Sequence, residues 1–300
     1  MNVFYNNDYI AVNHSIDATR KSAWIADSPR GKPMAGIELV SPIPATREQI
    51  ARVHNERYID AVETGTPRKL AESCTFPWDS GTWIAERASY GGMIAACESA
   101  LTDGVSASLS CGFHYATHDR GSNHCVFNGL AIAMMEMRHR GIKRILCIDV
   151  DAHCGGGTYS LMKDVPGFQQ VDVPLFWTDK YQPAGPSTLD MIDDSSDYPR
   201  VVTERLDAIS EVLPEIQLCL FYAGMDPHEG SEFGGLPGIS SEMPRQRDEL
   251  VLKTLRRSRI PVAIAFGGGY LGPGLDRDGL VDLHRTTIEL AQHYAGPSSK

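Results

Sequence analysis

The sequence has no C-x-x-C pair. Its seven cysteines (Cys74, Cys97, Cys111, Cys125, Cys147, Cys154, Cys219) are an odd number set mostly in apolar contexts, which predicts reduced, buried thiols. It has no basic run: the 28 Lys and Arg are scattered among 38 Asp and Glu, and the net charge of -10 argues against a nucleic-acid partner. It has no apolar stretch near the ~20 residues that span a bilayer, and Met1 to Asp8 is too polar to open a secretory leader. A cytoplasmic protein without a membrane partner is therefore expected. It also lacks internal repeats, low-complexity tracts and any Pro/Ser-rich linker, so one domain over residues 1–300 is expected. What is present is ordinary: 42% apolar residues, enough for a sizeable core, and an acidic balance that mildly favours a cationic substrate.

The chain is organised around Arg144 to Gly157, R-I-L-C-I-D-V-D-A-H-C-G-G-G. Ile145 to Ile148 reads as a buried strand of a parallel sheet. Before it, Thr46 and Gln49 form a capping box for a helix that carries Ile50, Val53 and His54. Helices are expected over Glu56–Glu63, Thr82–Leu101 and Gly129–Arg140, and a strand over Ser106–Ser110. Val3 to Tyr5 reads as a short opening strand, the stretch after it to about Pro33 is polar and shows little periodicity, and Thr66–Gly81 reads as a loop. The pattern continues with helices at Val201–Leu213, Arg245–Arg257 and Leu280–Tyr294, and strands at Leu218–Tyr222 and Val262–Phe266. Such alternation gives an α/β fold with right-handed crossovers and a mostly parallel sheet. Phe176 to Arg200 stands apart as a 25-residue insertion rich in Asp, Ser and Pro, suited to a lid, a rim or a contact surface.

Asp149, Asp151 and His153 alternate at the end of the central strand, and in extended chain such residues share a face. Two carboxylates and an imidazole at the carboxyl edge of a sheet form a candidate site for zinc or iron(II). Gly112-Phe113-His114-Tyr115, Asp226 and Gly267 to Tyr270 stand at further strand ends, so a parallel sheet would bring all four groups to one edge.

At these residues the chain resembles the histone deacetylase and acetylpolyamine amidohydrolase family, zinc hydrolases with a three-layer arginase-like α/β fold. The matching stretches are V-S-P-I-P-A-T-R-E-Q-I-A-R-V-H-N-E-R-Y-I from Val40, G-F-H-Y-A from Gly112, C-V-F-N-G-L-A-I-A from Cys125, I-D-V-D-A-H-C-G-G-G, A-G-M-D-P-H-E-G from Ala223 and G-G-G-Y-L from Gly267. The resemblance implies that Asp151, His153 and Asp226 hold one Zn2+ and leave open positions for a water and a carbonyl oxygen. It implies that Tyr270 donates a hydrogen bond to the oxyanion formed in amide hydrolysis. It further implies that His114 is the first histidine of the family's pair, with Asp149 its carboxylate partner and, through its backbone, part of a structural K+ site.

Three positions depart from the family pattern. Tyr115 stands where the second histidine, the usual general base, belongs, and a phenol with a pKa near ~10 is a poor base at neutral pH. Gly156 stands where that histidine's aspartate partner belongs. His124 stands where an aromatic usually sandwiches the acyl chain. Of the unassigned histidines, His118, His124 and His228, only His124 is placed at the tunnel by its position. The leading expectation is a zinc-dependent amidohydrolase that removes an acyl group, acetyl in the simplest case, from a small molecule or acyl-lysine, with His114 as sole base and acid and His124 assisting. Two alternatives are an ester or thioester hydrolase, or other specialised-metabolite chemistry, on the same site, and a catalytically silent zinc-containing protein that binds acylated ligands. A homo-oligomer is compatible with the sequence.

Overall fold

The computed structural model describes residues 1–13, 16–28 and 31–296. In chain order its elements are β1 (Asn2–Phe4), α1 (Asp17–Asp27), β2 (Glu38–Val40), α2 (Arg47–Ala51), α3 (Glu56–Thr64), α4 (Arg68–Ala71), α5 (Thr82–Asp103), β3 (Val105–Ser108), α6 (Gly129–His139), β4 (Ile145–Asp149), α7 (Gly156–Met162), β5 (Phe168–Asp172), β6 (Thr188–Leu189), α8 (Tyr198–Ala208), β7 (Leu218–Tyr222), α9 (Glu242–Arg257), β8 (Val262–Ala265) and α10 (Arg277–Tyr294). The strands make one eight-stranded sheet, ordered β2-β1-β3-β8-β7-β4-β5-β6. Every pairing among them is parallel, which tightens the expectation of a mostly parallel sheet.

Strand alternation divides the core in two. Cys147, Leu218, Leu220 and Tyr222 enter one apolar layer with α5 and α6, while Leu146, Ile148, Cys219 and Phe221 enter the other with α8 and α9. Covering helices on both faces explain why β4 and β7 read as near-continuous apolar runs. Truncating such a residue, Phe221 for example, costs on the order of 3 to 5 kcal/mol. The seven cysteines are free, and all but Cys111 are buried.

Local signals fix the elements that flank the site. Thr46 accepts from Gln49 N at 3.2 Å while the Gln49 side chain accepts from Thr46 N at 2.8 Å, the reciprocal cap read from the sequence. Gly91 and Gly92 let α5 pack tightly: a Cβ at Gly91 would fall on the Ile43 carbonyl, and one at Gly92 on the Tyr9 hydroxyl and Ser108 Oγ. No described helix is long and apolar enough to cross a membrane.

The fold adds elements that the sequence reading lacked in four places. The polar stretch before Pro33 holds a helix, α1, packed with Lys21 and Ser22 buried. Phe168–Asp172 is a fully buried strand, although its sequence F-Q-Q-V-D reads as polar. The segment 176–200 contributes the edge strand β6 and the start of α8. The 66–81 loop contains the short helix α4.

The strand order decides where chemistry can occur. From β4 the chain moves outward to β5 and β6, then returns to the other side of β4 with β7. β4 is thus a switch point, and the crevice beyond its carboxyl end is the expected ligand position. Ser108, Ala265, Tyr222 and Asp149 are in register across β3, β8, β7 and β4. The four groups singled out from the sequence all follow this row.

Candidate metal centre and active site

Asp151, His153 and Asp226 offer ligand atoms that all lie within 4.8 Å of one another. His153 Nδ1 is 3.1 Å from both Asp151 Oδ1 and Asp226 Oδ2. The second of these contacts lacks hydrogen-bond geometry, and Asp226 Oδ2 is a buried oxygen without a hydrogen-bond donor. Such an atom costs on the order of 1 to 3 kcal/mol unless something satisfies it. The remaining oxygens are fixed by backbone: Ala152 N donates to Asp226 Oδ1 at 3.2 Å, His153 N to Asp151 Oδ1 at 3.1 Å and Gly268 N to Asp151 Oδ2 at 2.6 Å. Glycines surround the acids because nothing larger fits: a Cβ at Gly224 or Gly267 would press on Asp151, and one at Gly268 would fall on the Asp226 carboxyl. Two carboxylate oxygens, one of them orphaned, and one imidazole nitrogen suit a divalent cation, so these residues fit zinc.

Electrostatics agree with a site built for positive charge. Burial and the neighbouring Asp151 charge push Asp226 up to about 6. Asp151 itself is held below the carboxylate range, because His114 and His153 outweigh its burial. Burial would lower His153, but its hydrogen bond to Asp151 and its close contact with the Asp226 carboxylate carry it up to about 10. A proton on His153 thus does in the metal-free protein what a cation would do better.

His114, from the loop after β3, is 2% exposed. Its Nδ1 lies 2.9 Å from Asp149 Oδ2, which leaves Nε2 facing the acids, 3.7 Å from Asp151 Oδ1. Burial would lower this histidine, but the charges of Asp149 and Asp151 bring it up to about 9. Tyr115 is 8% exposed; its ring lies 4.2 Å from that of His114 and 6.2 Å from that of His153. Burial, then the charges of Asp151 and Asp226, pushes its phenol far above its ordinary value, so it stays protonated. Tyr270 follows the glycine turn after β8; its N donates to Ser231 Oγ at 3.3 Å and its ring meets Phe233 edge-on at 5.3 Å. Burial and the two acids also push its phenol well up.

These groups share one narrow cavity of about 50 Å³, lined among others by His114, Tyr115, His124, Asp151 and Tyr270. His124 stacks on Phe76 at 4.7 Å, in left-handed backbone with φ of 69° beside Asn123 at 39°. It stands in the wall as its position suggested, and burial lowers its pKa. His118 and His228 do not join them. His118 Nδ1 bonds Val53 O at 2.6 Å, and His228 bridges Ser241 Oγ and Gly230 N at 3.0 Å each. The Asp149 carbonyl accepts from Val173 N at 3.0 Å and its carboxylate binds His114 and Asp151 N; nothing in this arrangement supports the K+ site implied by the resemblance.

The sequence did not point to Lys21. Only 1% exposed, it donates from α1 to the carbonyls of Gly267 and, at 3.1 Å, Gly268. Asp17 Oδ2, one turn earlier, accepts from Leu271 N at 2.9 Å. α1 therefore holds the turn on both sides of Tyr270. A lone lysine in a polar stretch gives no such signal. Glu86 was missed as well: it lines the same cavity, accepts a hydrogen bond from Tyr90, and burial pushes it up to about 7.

Residues 14–185 match the family model described as the histone deacetylase domain. An uncharacterized protein of Picosynechococcus sp. is 32% identical over 245 residues, covering 78% of this chain and 79% of its own length. Histone deacetylase 2 of Arabidopsis thaliana is 25% identical over 78% of this chain and 63% of its own. The solved HD domain of HDA15 superposes with a TM-score of 0.77 over 97% of this chain and 90% of that one, at 14% identity, a likeness of fold. By the matched domain and the extent of the first of these relatives, the chain belongs to the histone deacetylase family.

Proposed function

We propose that this chain is a zinc-dependent amidohydrolase that removes an acyl group, acetyl in the simplest case, from an amine of a small molecule or an acyl-lysine. Family membership supports hydrolytic deacetylase activity. The observation that carries the zinc reading is the orphaned Asp226 Oδ2 among three converging ligand atoms. Zinc held by Asp151, His153 and Asp226 would supply a Lewis acid for the acyl carbonyl and make a nearby water more acidic.

The chain's own residues then have these roles. His114 Nδ1–H donates to Asp149 Oδ2, which leaves Nε2 free to accept a proton from the attacking water and later return it to the departing amine. Tyr270 donates to the oxygen that becomes negative as the carbonyl is attacked. Tyr115, held protonated, acts as a second donor into the cavity and not as a base. His124 with Phe76 shapes the wall. Lys21 fixes the turn that aims Tyr270.

One observation favours a second reading. With a phenol in place of a second base, a substrate with a better leaving group, an ester or thioester, makes a smaller demand on proton transfer. Assaying zinc-loaded protein with matched acetyl-amide and acetyl-ester substrates separates the two. Turnover of the amide supports the first, turnover of the ester alone the second, and binding without turnover of either would sink both. Asp226→Ala should lose most bound zinc, and wild-type stoichiometry in that variant would remove Asp226 from the ligand set.

A further inference from the structure

A Cβ at Gly156 would fall on the carbonyl oxygen of Asp179 and lie 3.0 Å from Asp179 Oδ2. The space beside the first turn of α7 is thus filled by a residue from the segment after β5. Asp179 Oδ2 accepts from Gly157 N at 2.7 Å. Its backbone is left-handed, with φ of 60°, a conformation that Asp and Asn adopt more readily than other L-residues. The segment leading to it is laced to the metal-ligand loop: Phe176 N donates to Ala152 O at 2.9 Å, Cys154 N to Thr178 O at 3.0 Å, and the Phe176 ring lies 5.8 Å from that of His153.

The same turn of α7 supports the histidine loop from below. A Cβ at Gly157 would fall on the Tyr115 carbonyl, and Thr158 N donates to His114 O at 2.9 Å. Thr158 Oγ1 also accepts from Asn128 Nδ2 at 3.1 Å, and that same nitrogen donates to Ala116 O at 3.3 Å. Position is therefore passed from Asp179 to Gly157 and from there to the backbone of His114 and Tyr115.

We propose that Asp179 is a positioning residue of the active site: as a hydrogen-bond acceptor at the start of α7, in the space a side chain at 156 would occupy, it fixes the turn on which His114 and Tyr115 rest. The kinetic part of this inference rests on the hydrolase reading; the structural part does not. Asn accepts the same bond and tolerates left-handed backbone, whereas Gly accepts the backbone and removes the bond.

The test compares Asp179→Asn with Asp179→Gly, the latter chosen because it suits the observed φ and so isolates the lost acceptor. Asp179→Gly should lower kcat for the acetyl-amide by roughly tenfold to a hundredfold, as small misplacements of catalytic groups do, with KM and zinc content unchanged. Asp179→Asn should stay within about threefold of wild type, since Asn and Asp cap comparably. Hydrogen exchange at the Gly157 and Thr158 amides should rise in the Gly variant only. Wild-type kcat with unchanged exchange in Asp179→Gly, or an Asn variant as impaired as the Gly variant, would overturn the proposal. If the wild-type protein hydrolyses no amide, the hydrolase reading fails, and the exchange measurement alone decides the role of Asp179.

Discussion

Lys21 Nζ donates to the carbonyl oxygen of Gly268 at 3.1 Å, two residues before Tyr270, and also binds the carbonyl of Gly267. A buried lysine thus serves as the latch of a glycine turn whose next side chain points chemistry into the cavity. Lys21→Met leaves the Gly267 carbonyl without its donor and the Gly268 carbonyl with Met225 N alone, at a cost on the order of 1 to 3 kcal/mol. The expected result is a lower Tm together with a loss in kcat of about tenfold or more, read by thermal unfolding and steady-state kinetics. A variant with the wild-type kcat would show that the latch does not aim Tyr270.

Tyr270→Phe keeps the ring against Phe233 and removes only the hydroxyl. Turnover should fall by a factor on the order of 10² to 10³, the usual loss for one oxyanion donor, while zinc content stays at wild type. Unchanged turnover on the true substrate would exclude Tyr270 from that role.

The rate should rise with pH through the titration of His114. Burial lowers its pKa, but Asp149 and Asp151 raise it to about 9 in the metal-free chain, and only the neutral form accepts a proton. A cation on Asp151 offsets part of that rise, so in the zinc enzyme the acid limb should lie between the ordinary histidine value of about 6.5 and about 9. An acid limb well below 6 in a kcat/KM profile would contradict His114 as the base.

The residues that were legible in the sequence and those that were not differ in a physical way. Asp149, Asp151 and His153 announced themselves because strand alternation puts them on one face after an apolar run, and Asp226 and Tyr270 follow strands of the same kind. α1 and β5 did not, because polar residues interrupt the apolar ones they bury: Lys21 and Ser22 in one, Gln169, Gln170 and Asp172 in the other. Hydrophobic periodicity fails where a buried face is polar for the sake of a site. Asp179 could not be read at all, since its contact with Gly157 joins segments 22 residues apart.

That contact also changes how the family pattern can be restored. Gly156→Asp places a side chain onto the Asp179 carbonyl. By itself it should lower Tm and activity, and Tyr115→His with Gly156→Asp should fare no better. Adding Asp179→Gly to that pair removes the nearby carboxyl but keeps the clashing backbone carbonyl, so it should not recover stability, measured by thermal unfolding of the three variants. A Gly156→Asp variant as stable as wild type would show that Asp179 yields without cost.

The central claim is that amide hydrolysis here depends on one zinc held by Asp151, His153 and Asp226. Metal-stripped protein titrated with Zn2+ while acetate release from an acetyl-amide is followed tests it most directly. The account predicts no release at the start, a linear rise and saturation at one zinc per chain, with no rise in Asp226→Ala. Full activity in the stripped protein, or saturating zinc with an intact fold and no acetate from any acylated amine, would contradict it.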